Sequence, residues 1–319
     1  MTNPKPSRTR WRIAVAVVVL FAAVGSLVAW PAYKRHRAIQ EIERLGGEIE
    51  RETVGPQWLR QWGIGFDRVV TVILADTEIT DDGLKHLSGL TSLQDLSLRN
   101  TRITDDGLSH LSGMTSLQKL WLDSTRITDD GLKHLSNMTR LEGLSLTNTE
   151  TTDDGLKHLS NLKNLEWLSL DGTRITDDGL KHLRVLVSLL SLFLDGTRIT
   201  DDGLRHLGSR TNLQNLYLNN TEISDDGLKH LSRLASLQSL WLQDTRITND
   251  GLKHLSALKY LQDLSLVFTQ VSDDGLEHLK GMTILHMLRL NNTHVTDDGV
   301  KMLQEALPNC GISWFTTNE

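Results

Sequence analysis

Nine histidines occupy one fixed position along this chain of 319 residues. Histidine is the side chain best suited to bind metals or to titrate near neutral pH. The nine are His86, His110, His134, His158, His182, His206, His230, His254 and His278. Two ligands must each come within ~2.1 Å of a shared zinc ion, whereas the axes of neighbouring packed helices lie ~8–10 Å apart. The spacing therefore favours a packing or hydrogen-bonding position copied by duplication, and it predicts neither a metal site nor a pH switch.

A second column holds pairs of acids, which run from Asp81-Asp82 to Asp297-Asp298 with Asn249 as the one interruption. Clustered carboxylates can bind calcium. A hydroxyl side chain precedes each pair, however, and a hydroxyl followed by acids is typical of a helix start. There the hydroxyl accepts a backbone N–H, and the acids face the positive end of the helix dipole. We therefore expect helix capping from these pairs and no bound cation.

Neither column supports catalysis. A catalytic site is generally unique within a chain, whereas every notable Asp and His here is a copy of its neighbours. The sequence also lacks a Gly-rich phosphate loop, a zinc-ligand spacing and a separate set of Ser, His and Asp. The net charge of −6 argues against a nucleic-acid partner, which would require a basic face. We predict a protein that is not an enzyme, carries no cofactor or metal and does not bind nucleic acid.

The elements that position these columns come from a 24-residue unit, which recurs ten times without an insertion or a deletion. Such a period indicates a stacked array in which each unit contacts its two neighbours. In the second copy, Leu93, Leu96 and Leu98 predict a strand, and a short helix follows a corner at Thr101. Strands pack ~4.8 Å apart and helices ~8–10 Å apart, so the stack must curve with its strands inside. The predicted fold class is α/β: a curved solenoid with a parallel sheet on the concave face and short helices on the convex face.

The corner position holds threonine in every copy, from Thr77 to Thr293. A buried corner leaves backbone groups that need hydrogen-bond partners. We expect the hydroxyls, each both donor and acceptor, to satisfy the backbone of the next unit.

An uncharged apolar segment, Ile13–Trp30, precedes the array. It reaches the lower limit for a membrane span, and Trp11 and the last residue of the segment bracket it as interfacial aromatics do. A cleaved signal peptide would have to use the loose site at residues 23–25, and a lipoprotein would need a cysteine, which occurs only at position 310. We predict an uncleaved, single-pass transmembrane signal anchor. A slight excess of basic residues places the tail of residues 1–12 in the cytoplasm and the repeats on the extracytoplasmic side.

The remaining boundaries follow from the repeat. Residues 31–66 are expected to form a juxtamembrane helix and an N-terminal cap, residues 67–307 the ten repeats, and residues 308–319 a C-terminal cap strand and tail. An open end of the array would expose the core and a strand edge, so both ends need a cover. At the N-terminal end we assign this cover to the segment that contains Trp58 and Trp62.

The unit Leu93-x-x-Leu96-x-Leu98-x-x-Thr101-x-Ile103 resembles the leucine-rich repeat, with Thr where that family usually has Asn or Cys. Its continuation is similar to the cysteine-containing subclass, which is best known from F-box proteins. Together with the basic tail and the apolar segment, the repeats look like those of bacterial membrane-anchored leucine-rich repeat proteins. The resemblance covers most of the chain and implies protein or ligand binding without defined chemistry.

The informative positions are those at which the copies differ. Strand positions between the core leucines face the concave surface, and five aromatic side chains fall there: Trp121, Trp167, Phe193, Tyr217 and Trp241. The next column supplies Asp123, Asp171, Asp195, Asn219 and Gln243. Exposed aromatics beside acids and amides are typical of a recognition surface, and the acids would favour a cationic or hydroxyl-rich ligand. The alternative is that the aromatic pairs only stabilise the sheet.

These observations predict a membrane-anchored binding module that presents its concave face to a protein or peptide, or to a glycan. Two alternatives stay open. One is an intracellular, F-box-like substrate-recognition adaptor, although residues 31–66 are too short for a helical F-box module. The other is a structural or self-associating surface protein, in which unusual apolar residues supply the contacts: Val185, Val187, Leu190 and Phe268.

Overall fold

The computed structural model describes residues 30–54, 66–208 and 210–315, together with Arg12, Val15, Val17 and Val19. Nearly all of the predicted anchor at residues 13–30 therefore lies outside the described residues. Within the part of the chain that is described, no helix has both the length and the apolar character that a membrane crossing requires.

Strands and short helices alternate along the described chain. The strands are β1 Glu48–Val54, β2 Phe66–Ile73, β3 Asp95–Ser97, β4 Lys119–Trp121, β5 Gly143–Ser145, β6 Trp167–Ser169, β7 Ser191–Phe193, β8 Asn215–Tyr217, β9 Ser239–Trp241, β10 Asp263–Ser265, β11 Met287–Arg289 and β12 Gly311–Ser313. The α-helices are α1 Trp30–Arg44, α2 Asp81–Leu87, α3 Asp105–Ser109, α4 Asp129–Leu132, α5 Asp153–Leu156, α6 Asp177–Leu183, α7 Asp201–Leu204, α8 Asp225–Leu231, α9 Asn249–Leu252, α10 Asp273–Leu276 and α11 Asp297–Ala306. Short 3-10 turns cover Lys133–Leu135, Lys157–Leu159, Leu255–Ala257 and Glu277–Leu279.

All twelve strands belong to one sheet whose spatial order follows the chain order. Successive repeats pair in one register, so that Leu96 lies beside Leu120 and Leu120 beside Leu144. These leucines and the apolar residues of the helices have almost no accessible surface and form one continuous core. The predicted solenoid with a parallel sheet and short helices is confirmed. One pair departs from it, because β1 runs antiparallel to β2.

The hydroxyls of the corner threonines donate hydrogen bonds within their own repeat. In all ten copies the hydroxyl donates to the carbonyl oxygen three residues earlier, as Thr125 does to Leu122 at 2.6 Å. The preceding residue, Ser124 in this copy, has a positive φ of 53°, and the resulting turn brings the hydroxyl back over its own strand. The prediction that these hydroxyls satisfy the next unit is therefore wrong.

The first acid of each Asp-Asp pair except the last joins two repeats. The Asp129 carboxylate accepts two hydrogen bonds from Thr152, the N-cap residue of the next helix. One comes from the backbone N–H at 2.8 Å and the other from the hydroxyl at 2.6 Å. This two-bond contact, the aspartate clamp, recurs from Asp81, Asp105, Asp153, Asp177, Asp201, Asp225 and Asp273.

Helix capping occurs beside the clamp. The hydroxyl of Thr152 accepts the backbone N–H of Asp154 at 3.4 Å, as the sequence predicts, and the same bond forms in five other repeats. Asp154 also pairs with Lys157 on the helix surface, where such an ion pair contributes little to stability. The expectation that both acids serve their own helix is therefore incomplete, because the first acid binds the neighbouring repeat.

The glycine that follows the two acids leaves room for the clamp. A Cβ added to Gly155 would fall on the Oδ1 atom of Asp129. Every later glycine of this column meets the equivalent side chain of the preceding repeat in the same way. Gly83 has no repeat before it, and there the nearest atom belongs to Ile79. Close approach of the neighbouring carboxylate therefore explains why this position carries no side chain.

A helix and a strand cover the N-terminal end of the sheet. β1 pairs with β2 from Glu48 opposite Ile73 to Val54 opposite Phe66. α1 packs against α2, and its backbone lies so close to Gly89 that no Cβ fits there. The segment around residues 58–62, to which the sequence assigned this cover, lies outside the described residues. β1 escaped prediction because its residues are mostly charged and show no sustained apolar alternation.

Removal of one clamp should destabilise the array. Asp129→Ala should lower the free energy of unfolding by about 1–3 kcal/mol, because the partly buried donors of Thr152 lose their acceptor. Asp129→Asn should cost much less, because Asn249 forms the clamp naturally. Its Oδ1 accepts the N–H of Ser272, and its Nδ2 donates to the Ser272 hydroxyl. Denaturant titration compares the variants, and equal losses from both would contradict this account.

Candidate ligand-binding face

Five aromatic side chains form one continuous row on the concave face, the side of the sheet that faces away from the helices. The aromatic row consists of Trp121, Trp167, Phe193, Tyr217 and Trp241. Successive ring centroids are 4.9, 5.3, 4.3 and 5.4 Å apart. The sequence predicted the stacking of the last three rings, and the structure extends the contact to the two tryptophans.

The two tryptophans meet across an intervening strand. Trp121 belongs to β4 and Trp167 to β6, and β5 separates them. The two residues of β5 that face the concave side are Gly143 and Ser145, which are too small to keep the rings apart. Sequence reasoning identified both rings but not their contact, because their positions within the strand differ by two residues.

The last three rings of the row stack face to face. Phe193 and Tyr217 lie in register on adjacent strands, with an interplanar angle of 13° and a centroid distance of 4.3 Å. Rings side by side in one plane cannot approach this closely, so the faces must overlap along the direction that joins the strands. All five rings of the row are half-buried. The faces of Phe193, Tyr217 and Trp241 therefore contact one another and leave their edges toward the solvent, whereas the contacts of Trp167 with Trp121 and with Phe193 are tilted by 54° and 56°.

Arginines lie at both ends of the row, and sequence reasoning did not single out either of them. The Arg289 guanidinium is 4.3 Å from the centroid of the Trp241 ring, and that of Arg99 is 5.8 Å from the Trp121 ring. The two ends differ in charge balance. Arg99 Nε lies 3.4 Å from the Asp123 carboxylate, whereas Arg289 has no carboxylate partner among the described residues.

The predicted polar residues beside the row form a ladder that supports the sheet. Asp171 Oδ1 accepts the backbone N–H of Asp195, Asp195 Oδ1 accepts that of Asn219, and Asn219 Oδ1 accepts that of Gln243, each at 2.8 Å. Each side chain in this polar ladder thus holds the equivalent residue of the next repeat. One oxygen of Asp171 and one of Asp195, which the sequence offered to a cationic ligand, are thus already occupied by backbone donors.

Hydroxyl groups connect the ladder to the fifth predicted polar residue. Ser145 donates to Asp123 Oδ1 at 2.7 Å, and Ser169 donates to Asp171 Oδ2 at 3.0 Å. Thr147 joins the two serines through oxygen distances of 3.3 and 2.6 Å. The structure therefore brings all five predicted polar residues into one network beneath the aromatic row.

Burial sets the charge behaviour of the two central acids. Burial raises the pKa of Asp171, and the nearby charge of Asp195 raises it further, against the opposing effect of the backbone hydrogen bond. Burial also raises the pKa of Asp195, against the hydrogen bonds that it accepts from Asn219. The ionised forms of both acids are therefore less favourable in the folded protein than in water.

The histidine column carries no comparable network. Seven of its nine members are half-buried, and the other two are exposed. The Nε2 atoms of His206 and His254 are buried without a hydrogen-bond partner, and burial lowers the pKa of both rings. These two side chains therefore pack as neutral rings. Across the described residues, no three His, Cys, Asp or Glu side chains are grouped so that they could hold a metal ion.

Comparison with known proteins places this geometry in a fold family. One repeat, residues 89–112, matches the model of the leucine-rich repeat. The search of curated proteins found no match. Among solved structures, an internalin of Listeria monocytogenes is similar over 78% of this chain and 82% of its own, with 22% identity and a TM-score of 0.57.

Two plant receptor ectodomains are similar as well. That of the Arabidopsis receptor kinase HAESA, in complex with an IDA peptide hormone, matches over 78% of this chain and 42% of its own, with 19% identity and a TM-score of 0.57. That of the Arabidopsis thaliana receptor kinase GASSHO1/SCHENGEN3, in complex with CASPARIAN STRIP INTEGRITY FACTOR 2, matches over 81% and 33%, with 20% identity and a TM-score of 0.51. The chain thus has the fold of a leucine-rich repeat solenoid. The likeness extends to the fold alone.

Asp171→Asn should stabilise the protein at neutral pH. A carboxyl group whose pKa is raised on folding favours the folded state while it is protonated, and this contribution is lost as the pH rises through the folded pKa. The amide removes the charge and keeps an acceptor for the Asp195 N–H. The gain in melting temperature should be largest at neutral pH and vanish below the pKa of an unfolded aspartate, ~3.9. Thermal unfolding across pH measures it, with the exposed Asp106→Asn as control, and a gain that persists in acid would contradict the assignment.

Proposed function

We propose that the protein is a non-enzymatic binding module, whose concave face recognises a protein or peptide through the aromatic row. The observation that carries this proposal is the continuity of five half-buried rings across the sheet, from Trp121 to Trp241. Aromatic side chains provide a large contact area at low entropic cost and are enriched at protein interfaces. Cross-strand stacking alone would account for pairs of rings, but not for a row that passes over a strand of small residues.

The orientation of the rings favours a peptide over a glycan. Sugars stack their C–H faces on open aromatic faces, and here the ring faces of Phe193 and Tyr217 cover each other. The outward edges carry the positive part of the ring quadrupole, which attracts carbonyl and carboxylate oxygens. A peptide backbone offers such oxygens at regular intervals. The plant ectodomain of similar fold that is in complex with an IDA peptide hormone is consistent with a peptide as the ligand.

We further propose that residues 13–30 anchor the chain in a membrane and that the repeats lie on its extracytoplasmic side. The support is the uncharged apolar sequence and the basic residues before it. Protease added to intact cells should then remove the repeats. Protection until the cells are permeabilised would instead favour the intracellular, F-box-like adaptor.

Self-association is the second candidate function, and exposed apolar residues favour it. Val185, Val187 and Phe268 are 39%, 62% and 50% exposed, respectively, whereas Leu190 is half-buried. Phe268 also has a positive φ of 56°, an unusual conformation for a bulky residue. Light scattering after size exclusion decides this point, because a self-associating array forms larger species as its concentration rises.

The aromatic row should be necessary for peptide binding. The test is selection from a displayed library of random dodecapeptides against the repeat protein, followed by affinity measurement on the selected peptides. Changing Phe193, Tyr217 and Trp241 to serine should weaken binding at least tenfold, since truncation of interface aromatics typically costs ~2 kcal/mol or more. Serine is the matched choice, because the chain itself carries Ser169 and Ser265 at this position.

The control for this experiment removes an exposed aromatic outside the row. The Tyr260 side chain is 61% exposed. Tyr260→Ser replaces it with the residue type that the preceding repeat carries at this position, Ser236. It should leave peptide affinity unchanged. Circular dichroism must show that both variants are folded. Unaltered affinity in the folded triple variant would refute the proposed function.

A further inference from the structure

A group of unused hydrogen-bond donors lies beyond the last ring of the aromatic row, on β10, on β11 and just after β11. Its members are Arg289, Ser265 and Asn291. Arg289 contacts the Trp241 ring but has neither an ion pair nor a hydrogen bond from its guanidinium among the described residues. An arginine held on an aromatic face keeps its planar fork of N–H groups available for a planar anion.

Ser265 lies between the two partners of this contact. It is in register with Trp241 on β9 and with Arg289 on β11. Because those two side chains meet across β10, Ser265 is covered and only 1% exposed. Its hydroxyl has no hydrogen-bond partner, which is a costly arrangement for a buried polar group.

Asn291 follows Arg289 by two residues and is 7% exposed. Its Oδ1 accepts the Ser313 hydroxyl at 3.1 Å, but its Nδ2 is buried without an acceptor. In the polar ladder the preceding repeat would supply an oxygen at this level. Val267 occupies that position and has none to offer. The ladder therefore stops at Gln243, and a donor is left unmatched two repeats later, at Asn291.

At the opposite end of the row, the arginine beside the terminal ring does have a carboxylate partner. Arg99 also approaches the ring of a terminal tryptophan, Trp121, and it is neutralised by Asp123. At the Arg289 end the nearest acid in the strand register is Asp263, whose Oδ2 instead accepts a hydrogen bond from Ser239 at 3.3 Å. Among the described residues, the Arg289 end of the row thus holds a cation without a carboxylate partner, and the Arg99 end does not.

The following inference rests on the proposed function. We propose that Arg289, with Ser265 and Asn291 beside it, forms a subsite for an acidic side chain of an extended peptide that lies along the aromatic row. All three groups donate, and a carboxylate accepts several charge-assisted hydrogen bonds at once. The sheet continues past Arg289 to β12, so the peptide chain can run beyond the subsite. An internal Asp or Glu fits this geometry better than a chain terminus.

The test uses the same dodecapeptide selection, with every peptide closed by a C-terminal amide. Peptides selected on the parent protein should be enriched in Asp or Glu at one fixed distance from their aromatic or apolar positions. Arg289→Gln should lower the affinity for the best acidic peptide at least tenfold. It should have little effect on the affinity for the same peptide with its Asp changed to Asn or its Glu changed to Gln. Arg198→Gln, which removes an exposed arginine outside the concave strands, is the charge-matched control and should change nothing.

A second variant separates binding from folding. Ser265→Ala removes a hydroxyl that has no partner in the unbound protein, so the melting temperature should not fall. Peptide affinity should nevertheless drop several-fold, and more for the acidic peptide than for its amide form. A purely structural serine would give the opposite pattern, with lower stability and unchanged affinity.

The outcomes distinguish the two proposals. Peptides that lose affinity in the triple serine variant but show no acidic enrichment, or bind Arg289→Gln equally well, would overturn the subsite and leave the proposed function standing. Selected peptides that bind only when they are remade with a free C-terminal carboxylate would likewise overturn it. Peptides that are indifferent to the aromatic row would refute both proposals.

Discussion

The aspartate clamp is the contact on which the rest of the structure depends. A unit of 24 residues buries too little apolar surface to fold alone, so stability arises at the junctions between units. At each junction one side chain satisfies both the backbone N–H and the hydroxyl of the next N-cap residue, as Asp129 does for Thr152. The glycine column leaves space for that side chain, and the corner threonines close each turn independently. The clamp therefore fixes how far one repeat lies from the next and with which register their strands pair.

A second tie crosses the sheet on the other side of the core. The polar ladder links Asp171 to Asp195, Asn219 and Gln243 through their backbone N–H groups. Between the clamp and the ladder, each central repeat is held at two points, just after its strand and at the start of its helix. The aromatic residues therefore project from a support that has little freedom to move, and their mutual distances follow from the strand register. Such a preorganised surface loses less entropy when it binds a partner than a surface built on loops.

Much of this architecture could be predicted from the sequence, because it depends on a period. The solenoid, the strand positions and the five rings all follow from the alignment of copies. The acids could not be assigned correctly in the same way. Asp129 and Asp171 can serve a helix, a neighbour or a ligand, and only their geometry decides among these uses. β1 was missed for a different reason, since a strand that covers only the end of the sheet needs no apolar alternation.

The candidate site shows the same limit. Aromatic residues at concave positions were evident from sequence, but their edge-on arrangement follows from ring geometry that no pattern encodes. Arg289 looked like one more variable residue, because the absence of a partner is visible only when its surroundings are known. Positions where a repeated pattern breaks, such as Val267 in the polar ladder, were the best available signal.

The uniform register has a consequence for how such a protein can change over generations. Neighbouring repeats pair in the same way along the array, so the gain or loss of a whole repeat leaves the strand pairing and the aspartate clamps matched. One unit added between Trp241 and Arg289 would separate the last ring from the cation by one more strand spacing, ~4.8 Å, and the strands on either side would keep their register. The length of the binding face is therefore set by the number of repeats. Duplications or deletions of whole 24-residue units can change the length of ligand that the face accommodates without a change in the core.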